Sequence, residues 1–442
     1  MNTSSPAKLP SKRTRNGCQT CKRRRKRCDE QRPNCGGCVR LGLKCTYHVS
    51  LKWATSRDSF VENPKTPITI AFAPRDELEG VLRSIRTSFR LHNIIYTTLD
   101  VRDREILLKF LTSGYRGLRS DLRLNDEFLT SESGFPMCEH SKACLLNCLT
   151  YQVAIDPTYV SLFDEYYSRS LEQFRKEMCS SVSMSSDSLY FAGILMCVIS
   201  LTQLLPWSIH VNALISLIGP PSDPTKLKGQ LLVFVSLLGF LDLPSHCLNR
   251  QTASRQLWKT HCLGQDGVHI ISGLPFSLLD LISRVDVSDV ELLFMEWIVP
   301  DGEPAQQSLW EATRYAGILS AVETARAKGR ILFPVAQSAG VDLKDVVHKV
   351  LCAVRQCLSC VSPELSHFKQ ALLYPLIMAA SQPIVLDNNA REFICQTMNE
   401  LACEINHSYY KGALSIIFEF WKGGDQSLEH TAQRLDTELA LV

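Results

Sequence analysis

Six cysteines near the N-terminus have the residue type and the spacing to carry out chemistry. Their pattern is C-x2-C-x6-C, and it occurs twice within residues 17–47, first in "CQTCKRRRKRC" and then in "CGGCVRLGLKC". The six residues are Cys18, Cys21, Cys28, Cys35, Cys38 and Cys45. Identical spacing in the two halves indicates two equivalent units around one centre.

Thiols in such a pattern can form disulfides or hold metal ions. Disulfide frameworks are typical of small secreted chains, but the N-terminal residues are polar and basic and lack the apolar run of a secretory signal. We therefore expect a reducing compartment and a metal site. Tetrahedral zinc takes four thiolates, so six sulfurs serve two zinc ions only if two thiolates bridge them. The repeat leaves three equivalent pairs for this role: Cys18/Cys35, Cys21/Cys38 and Cys28/Cys45.

The two halves of the repeat differ in charge. Between the second and third cysteines the first half carries six consecutive basic residues: Lys22, Arg23, Arg24, Arg25, Lys26 and Arg27. The second half has only Arg40 and Lys44 in the equivalent segment, among apolar residues. Because Arg and Lys contact phosphates and Arg pairs with guanine in the major groove, we expect the first half to face DNA. We expect the second half to support the first half structurally and to contact the DNA backbone.

Charge is also uneven along the whole chain of 442 residues, whose formal net charge is +3. Residues 1–50 hold 13 Lys and Arg against 2 Asp and Glu, a net of +11, and the remaining residues carry a net of −8. A basic head on an acidic body favours a polyanionic partner. We expect residues 1–16, with "SKRTR" at 11–15, to form a disordered basic arm. The basic run also has the composition of a nuclear import signal, which is compatible with DNA binding.

The cysteine array resembles the binuclear zinc cluster of fungal Zn2Cys6 transcription regulators, whose spacing all six cysteines match. Pro33 stands where that family usually has a loop proline. The resemblance covers residues 17–47 and implies two Zn²⁺ per chain, bridged by the thiolates of Cys18 and Cys35. It also implies double-stranded DNA as the partner and the nucleus as the location.

The resemblance assigns roles within the basic run. The family reads bases, commonly in a CGG-type triplet, with the residues three and four positions after the second cysteine, which here are Arg24 and Arg25. The second of these is usually Lys, so Arg25 is a departure that bears on the detailed hydrogen bonding. Lys22 and Arg27 match phosphate contacts of the family. For Arg23 and Lys26 we also expect phosphate contacts, because a helix spreads the run around its axis.

Residues 48–75 are predicted to be a linker, since Pro64, Pro67 and Pro74 interrupt any continuous helix. Many zinc cluster regulators dimerise through a coiled coil at this position, but the apolar heptads of a coiled coil are missing here. Homodimer and heterodimer both stay open. One alternative function is therefore a co-regulator that binds DNA only together with another zinc cluster protein.

Helical periodicity dominates residues 76–442, which predicts an all-α domain with breaks at 219–229, 299–306 and 362–367. The apolar stretches 189–207 and 231–241 are expected to be buried helices, with no membrane partner. Segments such as "LPWSIHVNALISLIG", "GLPFSLLDLI" and "LLYPLIMAA" resemble the fungal-specific transcription factor domain. That resemblance implies a regulatory body that contacts the transcription machinery. The C-terminal segment 428–442 fits either an activation segment or a closing helix.

The body shows no phosphate loop, nucleophile elbow or metalloprotease histidine pair, so the chain is not expected to be an enzyme. His348, Cys352, Cys357 and Cys360 share one predicted helix, and a helix rise of about 1.5 Å per residue spreads them too far to share one zinc. A metal- or redox-responsive binding protein remains the second alternative. Trp207 and His210 are expected in the core rather than in a ligand pocket.

Overall fold

The chain divides into two compact units, Met1–Ala71 and Phe72–Val442. The computed structural model describes residues 20–21, 24, 26, 28–29, 31, 35–43, 45, 99–118, 141–179, 186–218, 230–269, 271–329, 342–361, 363–405 and 408–441. The predicted arm (1–16), the predicted linker (48–75), the predicted break at 219–229 and nearly all of the first predicted helix of the body (76–99) lie outside these residues.

The described part of the first unit is built from two turns of helix-like backbone. Thr20 and Cys21 are helical, and the N–H of Arg24 donates to the carbonyl of Thr20 at 3.1 Å. The second turn is α1, Gly36–Val39. It is capped by Arg40, and Gly42 just beyond has a φ of +60°, a left-handed conformation that favours glycine.

The described part of the body is made of helices, apart from one two-stranded ribbon. Its helices are α2 Val101–Thr112, α3 Lys142–Ile155, α4 Phe163–Cys179, α5 Ser186–Thr202, α6 Ser208–Ile218, α7 Gln230–Leu241, α8 Leu257–His261, α9 Phe276–Ile282, α10 Val290–Glu296, α11 Pro304–Ala327, α12 Leu343–Cys360, α13 Leu373–Ala380, α14 Asn388–Ile405, α15 Ser408–Trp421 and α16 Leu428–Arg434. Short 3₁₀ turns connect them at Gly114–Leu118, Val160–Leu162, Pro244–His246 and Pro363–Leu372. The predicted all-α body is confirmed.

Helix starts follow local capping chemistry. The Ser141 hydroxyl accepts the backbone N–H of Cys144 at 3.0 Å at the start of α3. Asp100 accepts the N–H of Asp103 at 2.7 Å at the start of α2. Pro304 occupies the first position of α11, where an N–H would have no partner within the helix. The predicted break at 299–306 covers the residues just before α11 and its first three residues, and residues 363–367 of the other break lie in the 3₁₀ helix Pro363–Leu372.

Among the described residues, most of the predicted periodic segments correspond to single helices. The run 390–421 divides into α14 and α15, which pack against each other. One continuous apolar periodicity therefore extends over two helices. The periodicity shows which side of a helix is buried, but it does not show where one helix ends and the next begins.

Helix α11 is the centre of the body. It packs along α12 and also contacts α10 and α13, and most of its side chains are buried. Gly317 lets α10 approach closely, because a Cβ at this position would lie 2.4 Å from the ring of Phe294. The core around α11 is therefore tightly packed and leaves no room for a larger residue at this crossing.

The C-terminal segment closes the body. Strand β1, Cys247–Leu248, pairs antiparallel with β2, Leu439–Ala440. This ribbon departs from the strand-free prediction, and two residues are too few to show an alternating pattern. Leu428, Ala432 and Leu441 are buried in the core. The segment 428–441 is thus a closing element.

A buried carboxylate fixes this closure. Glu438 is 3% exposed, and one of its oxygens accepts the backbone N–H groups of Trp207 at 2.8 Å and Ser208 at 3.3 Å. Its other oxygen accepts the N–H of Gln251 at 2.9 Å. The carboxylate sits at the N-terminus of α6, where the helix dipole favours negative charge. The tail is thereby joined to elements about 200 residues earlier in the chain.

The two long apolar stretches are buried, as the sequence predicts. Leu195, Met196 and Ile199 of α5 are at most 1% exposed, and Val235 and Leu238 of α7 are equally buried. Within the described ranges, no helix combines the length and the apolar character that crossing a bilayer requires.

Candidate metal centre and its basic edge

Cys35 and Cys38 are brought together by the start of α1. Cys35 is the N-cap of this helix, with an extended backbone, and its Sγ accepts the backbone N–H of Cys38 at 3.3 Å. Residues three apart in a helix lie on one face, so the C-x2-C spacing places both sulfurs on the same side. An N–H bond to sulfur also stabilises negative charge on it, as a metal-bound thiolate needs.

The first half of the repeat brings a third thiol to the same place. The Sγ atoms of Cys21 and Cys35 are 3.6 Å apart, and the sulfurs of Cys21, Cys35 and Cys38 all lie within 4.8 Å of one another. Four thiolates around one zinc, each about 2.3 Å from the metal, would lie about 3.8 Å apart. Cysteines 14 residues apart in the chain are thus arranged as ligands of one tetrahedral ion.

A second group shares Cys35 with the first. The ligand atoms of Cys28, Asp29 and Cys35 also lie within 4.8 Å of one another. Cys45, which follows α1 in the chain, also lies close to Cys35, because its sulfur accepts the backbone N–H of Cys35 at 3.3 Å. Cys35 therefore lies between two sets of donor atoms.

Sequence reasoning did not single out Asp29. Its carboxylate fills the space beside the start of α1, where a Cβ on Gly36 would lie 2.6 Å from an Asp29 oxygen. The available signal was its position directly after the third cysteine. Gly36 lacks a side chain at the point where the carboxylate approaches.

The described residues of this unit form no core apart from the cysteines. The buried cluster consists of Cys21, Cys28, Cys35 and Cys38, with Cys45 partly buried against it. The apolar residues of the second half are exposed: Val39 by 64%, Leu41 by 52% and Leu43 by 41%. Such a small fold needs a metal for stability, and a set of gathered thiols is the donor set that zinc takes in structural sites. The residues present fit zinc.

The described part of the basic run lies at the surface. Arg24 and Lys26 are both exposed. The N–H of Lys26 donates to the carbonyl of Cys21 at 3.0 Å, so a backbone hydrogen bond ties the run to a cysteine of the metal centre. The remaining predicted site residues lie outside the described residues, and they are Cys18, Lys22, Arg23, Arg25 and Arg27.

Trp207 belongs to the body core, as predicted, whereas His210 is only partly buried. Trp207 is fully buried, and the guanidinium of Arg250 lies 5.4 Å from its ring. Burial lowers the pKa of His210, and the positive charge of Arg175 lowers it further. Trp207 is thus a packed core side chain, and His210 is a partly packed one.

Most described cysteines of the body are buried. Burial raises the pKa of Cys262 and of Cys357 to about 12, and it raises the pKa of Cys197 above its usual range. None of the cysteines in the described ranges is in a disulfide. Of the four candidates on α12, Cys357 is buried, while His348, Cys352 and Cys360 are exposed.

Two protein-family models match the chain. Residues 16–54 match the fungal Zn(2)-Cys(6) binuclear cluster domain, a domain that binds two zinc ions. Residues 327–434 match the fungal specific transcription factor domain, and this match runs from the last residue of α11 to the end of α16. Of the three body segments that suggested this domain, "LLYPLIMAA" lies inside the match and the other two precede it.

The relatives with known roles resemble the chain over a short region. Sterol uptake control protein 2 of Candida albicans is 42% identical over 77 residues, which are 15% of this chain and 11% of the relative. The cercosporin biosynthesis regulatory protein CTB8 of Cercospora beticola is 38% identical over 60 residues, 14% of this chain and 15% of the relative. Transcription factor pgmR of Aspergillus terreus is 38% identical over 71 residues, 15% of this chain and 38% of the relative. No solved structure matches the chain.

Proposed function

We propose that this chain, which carries a fungal Zn(2)-Cys(6) cluster domain and a fungal specific transcription factor domain, is a zinc-dependent, sequence-specific DNA-binding transcription regulator. The observation that carries the proposal is the gathering of Cys21, Cys35 and Cys38 within 4.8 Å in a unit whose described core is made of cysteines. The helical body regulates, and the protein acts in the nucleus. It is not an enzyme.

Six thiolates hold two zinc ions in this proposal: Cys18, Cys21, Cys28, Cys35, Cys38 and Cys45. The position of Cys35 in both groups of donor atoms supports its role as one bridging ligand. The repeat then makes Cys18 the other bridge, since it is the equivalent residue in the first half. Asp29 stays a neighbour of the cluster, because the thiolates already fill both coordination shells.

The basic run provides the DNA contacts. Exposure of Arg24 and Lys26 supports this role, because both side chains are accessible to a duplex. In the proposal Arg24 and Arg25 read guanines of a CGG-type site. Phosphate contacts come from Lys22, Arg23, Lys26 and Arg27, which fix the register of the helix on the duplex.

In this proposal the chain regulates a set of genes that belong to one pathway. One relative is named as a regulator of cercosporin biosynthesis, which supports a biosynthetic gene set, although the match covers only 14% of this chain. The transcription machinery is the partner of the body.

The test combines metal content with selection of bound sites from random DNA, using the full chain. We expect two zinc ions per chain and enrichment of CGG-containing sites, both lost together on chelation. Arg24→Ala should lose discrimination worth about 1–3 kcal/mol at one base pair. Arg40→Ala is the matched control: it lies exposed in the second half and should weaken all sites alike.

Other outcomes of this experiment would contradict the proposal or a part of it. One zinc per chain, or DNA binding that survives chelation, would overturn the proposal. Unchanged selectivity in Arg24→Ala would remove the base-reading role of that residue. If the chain selects sites only in the presence of a second zinc cluster protein, the alternative of a partner-dependent co-regulator holds.

A further inference from the structure

Helix α12 presents an exposed thiol beside an exposed imidazole. The Sγ of Cys352 lies 3.3 Å from the Nε2 of His348, one helical turn earlier. Both side chains are exposed, so solvent and small molecules reach the pair. In the tautomer that carries its proton on Nδ1, the Nε2 lone pair is close enough to take the thiol proton.

The surroundings of this thiol are basic. Its neighbours one turn away are His348, Lys349, Arg355 and Gln356, and none of them is acidic. The ammonium of Lys349 lies 5.3 Å from the ring of Tyr315, and the guanidinium of Arg355 lies 4.2 Å from that of Phe393. Both cationic residues are exposed on the same helix as the thiol. Positive neighbours stabilise a thiolate, which is the nucleophilic form of cysteine.

Cys360 on the same helix provides the contrast. It is also exposed, and its sulfur lies 3.9 Å from the Ser359 hydroxyl. The residues one turn before it on the helix are Gln356 and Cys357, and neither is a histidine or a basic residue. The two thiols share a helix and an exposed position but differ in their neighbours.

We propose that Cys352 is a site of covalent modification by small α,β-unsaturated carbonyl compounds, with His348 as its positioning base. The imidazole takes the thiol proton, and the thiolate sulfur forms a bond to the β-carbon of the electrophile. The alkene electron pair moves to form an enolate, which takes a proton from the imidazolium at its α-carbon. Atoms and charges balance with no oxidant or reductant. This site is independent of the zinc centre and of the proposed DNA contacts.

The position of the pair lets the adduct form without unfolding. Helix α12 turns its buried residues, such as Val350 and Val354, toward the core, and Cys352 lies on the opposite, exposed side. An adduct would therefore sit on the surface of the segment that matches the transcription factor domain. It would change the face that the body offers to partners.

The experiment measures alkylation rates of individual cysteines in the zinc-loaded full chain. The probe is N-ethylmaleimide at limiting concentration, and peptide mass spectrometry follows Cys352 and Cys360 in the same sample. We expect Cys352 to react about tenfold faster than Cys360. His348→Gln should lower the Cys352 rate to about that of Cys360 and leave the Cys360 rate unchanged.

Two controls separate a chemical role from a structural one. His430→Gln removes an exposed histidine on α16 and should change neither rate. In guanidinium chloride the two thiols should react at equal rates, because the one-turn spacing exists only in the helix. Equal native rates for the two thiols, or an unchanged Cys352 rate in His348→Gln with an unchanged melting temperature, would overturn the proposal.

Discussion

The two units of this chain use buried cysteines in opposite ways. Cys35 and Cys38 of the first unit and Cys144 and Cys197 of the body are all fully buried. In the first unit the sulfurs face one another and make up the described core. In the body each thiol packs among aliphatic and aromatic side chains, as a small hydrophobe does. Burial alone therefore does not identify a metal ligand. Regular cysteine spacing in the sequence together with sulfur atoms that lie close together in the structure does.

The units also differ in what stabilises them. The body buries a large apolar core, so its fold rests on the hydrophobic effect and close packing. The first unit exposes its apolar Val39, Leu41 and Leu43 and depends on its thiols. Removal of zinc and disruption of the core should consequently act on separate parts of the protein.

The largest expected effect comes from breaking the metal centre. Cys38→Ser removes one thiolate ligand, and structural zinc supplies about 10 kcal/mol or more of folding free energy in domains of this kind. We expect loss of bound zinc and of DNA binding, with unchanged thermal unfolding of the body by circular dichroism. Zinc content by mass spectrometry checks the first point.

Cys197→Ala is the matched change in the body. It removes one buried sulfur from α5 and should lower the free energy of unfolding of the body by about 1–2 kcal/mol. Zinc content and DNA binding should stay at the level of the parent protein. If both substitutions had the same effect on zinc and on stability, the distinction between the two uses of cysteine would fail.

Acid should destabilise the body through two buried histidines. His246 and His269 are each 1% exposed, and burial lowers the pKa of each to about 3, from about 6.5 in the unfolded chain. Below pH 6.5 the unfolded chain binds protons that the folded chain cannot, so the free energy of unfolding falls as pH decreases toward 3. At pH 5 this loss amounts to about 2 kcal/mol per histidine relative to pH 7.

Urea unfolding at pH 7 and pH 5, followed by circular dichroism, measures this loss. His246→Phe keeps an aromatic ring against Tyr374, on which His246 stacks at 4.3 Å, and should remove about half of the pH dependence. His430→Gln is the exposed control and should leave it intact. A stability that does not change between the two pH values would contradict the assignment of these histidines as buried and neutral.

The smallest expected effect concerns one phosphate contact. Lys26→Ala should weaken binding to all DNA sequences alike and reduce the slope of log affinity against log salt by about one unit. Affinities measured at several salt concentrations give that slope. Lys422→Ala, an exposed lysine of the body, serves as control. An unchanged slope in Lys26→Ala would exclude Lys26 from the DNA interface.

Much of the first unit could be predicted from the sequence because its contacts are local. Cys35 and Cys38 are placed by one helical turn, and the repeat in the spacing indicates the metal before any distance is known. Asp29 was missed, since a carboxylate beside a cysteine has many uses and only its position against Gly36 shows what it does. Some helices of the body, such as α4, α11 and α12, were equally predictable from their period, but the division of 390–421 into α14 and α15 was not.

The sequence by itself determined the repeated spacing of the cysteines, the asymmetry of charge and the helical nature of the body. Each follows from residue type and short-range spacing. Only the tertiary structure decided that Glu438 of the C-terminal tail binds the amides of Trp207 and Ser208. It also decided that Cys352 is exposed beside His348 while Cys357 is buried. The physical reason is that periodicity shows which face of a helix is apolar, whereas partners far apart in the chain are chosen by the packing of the whole core.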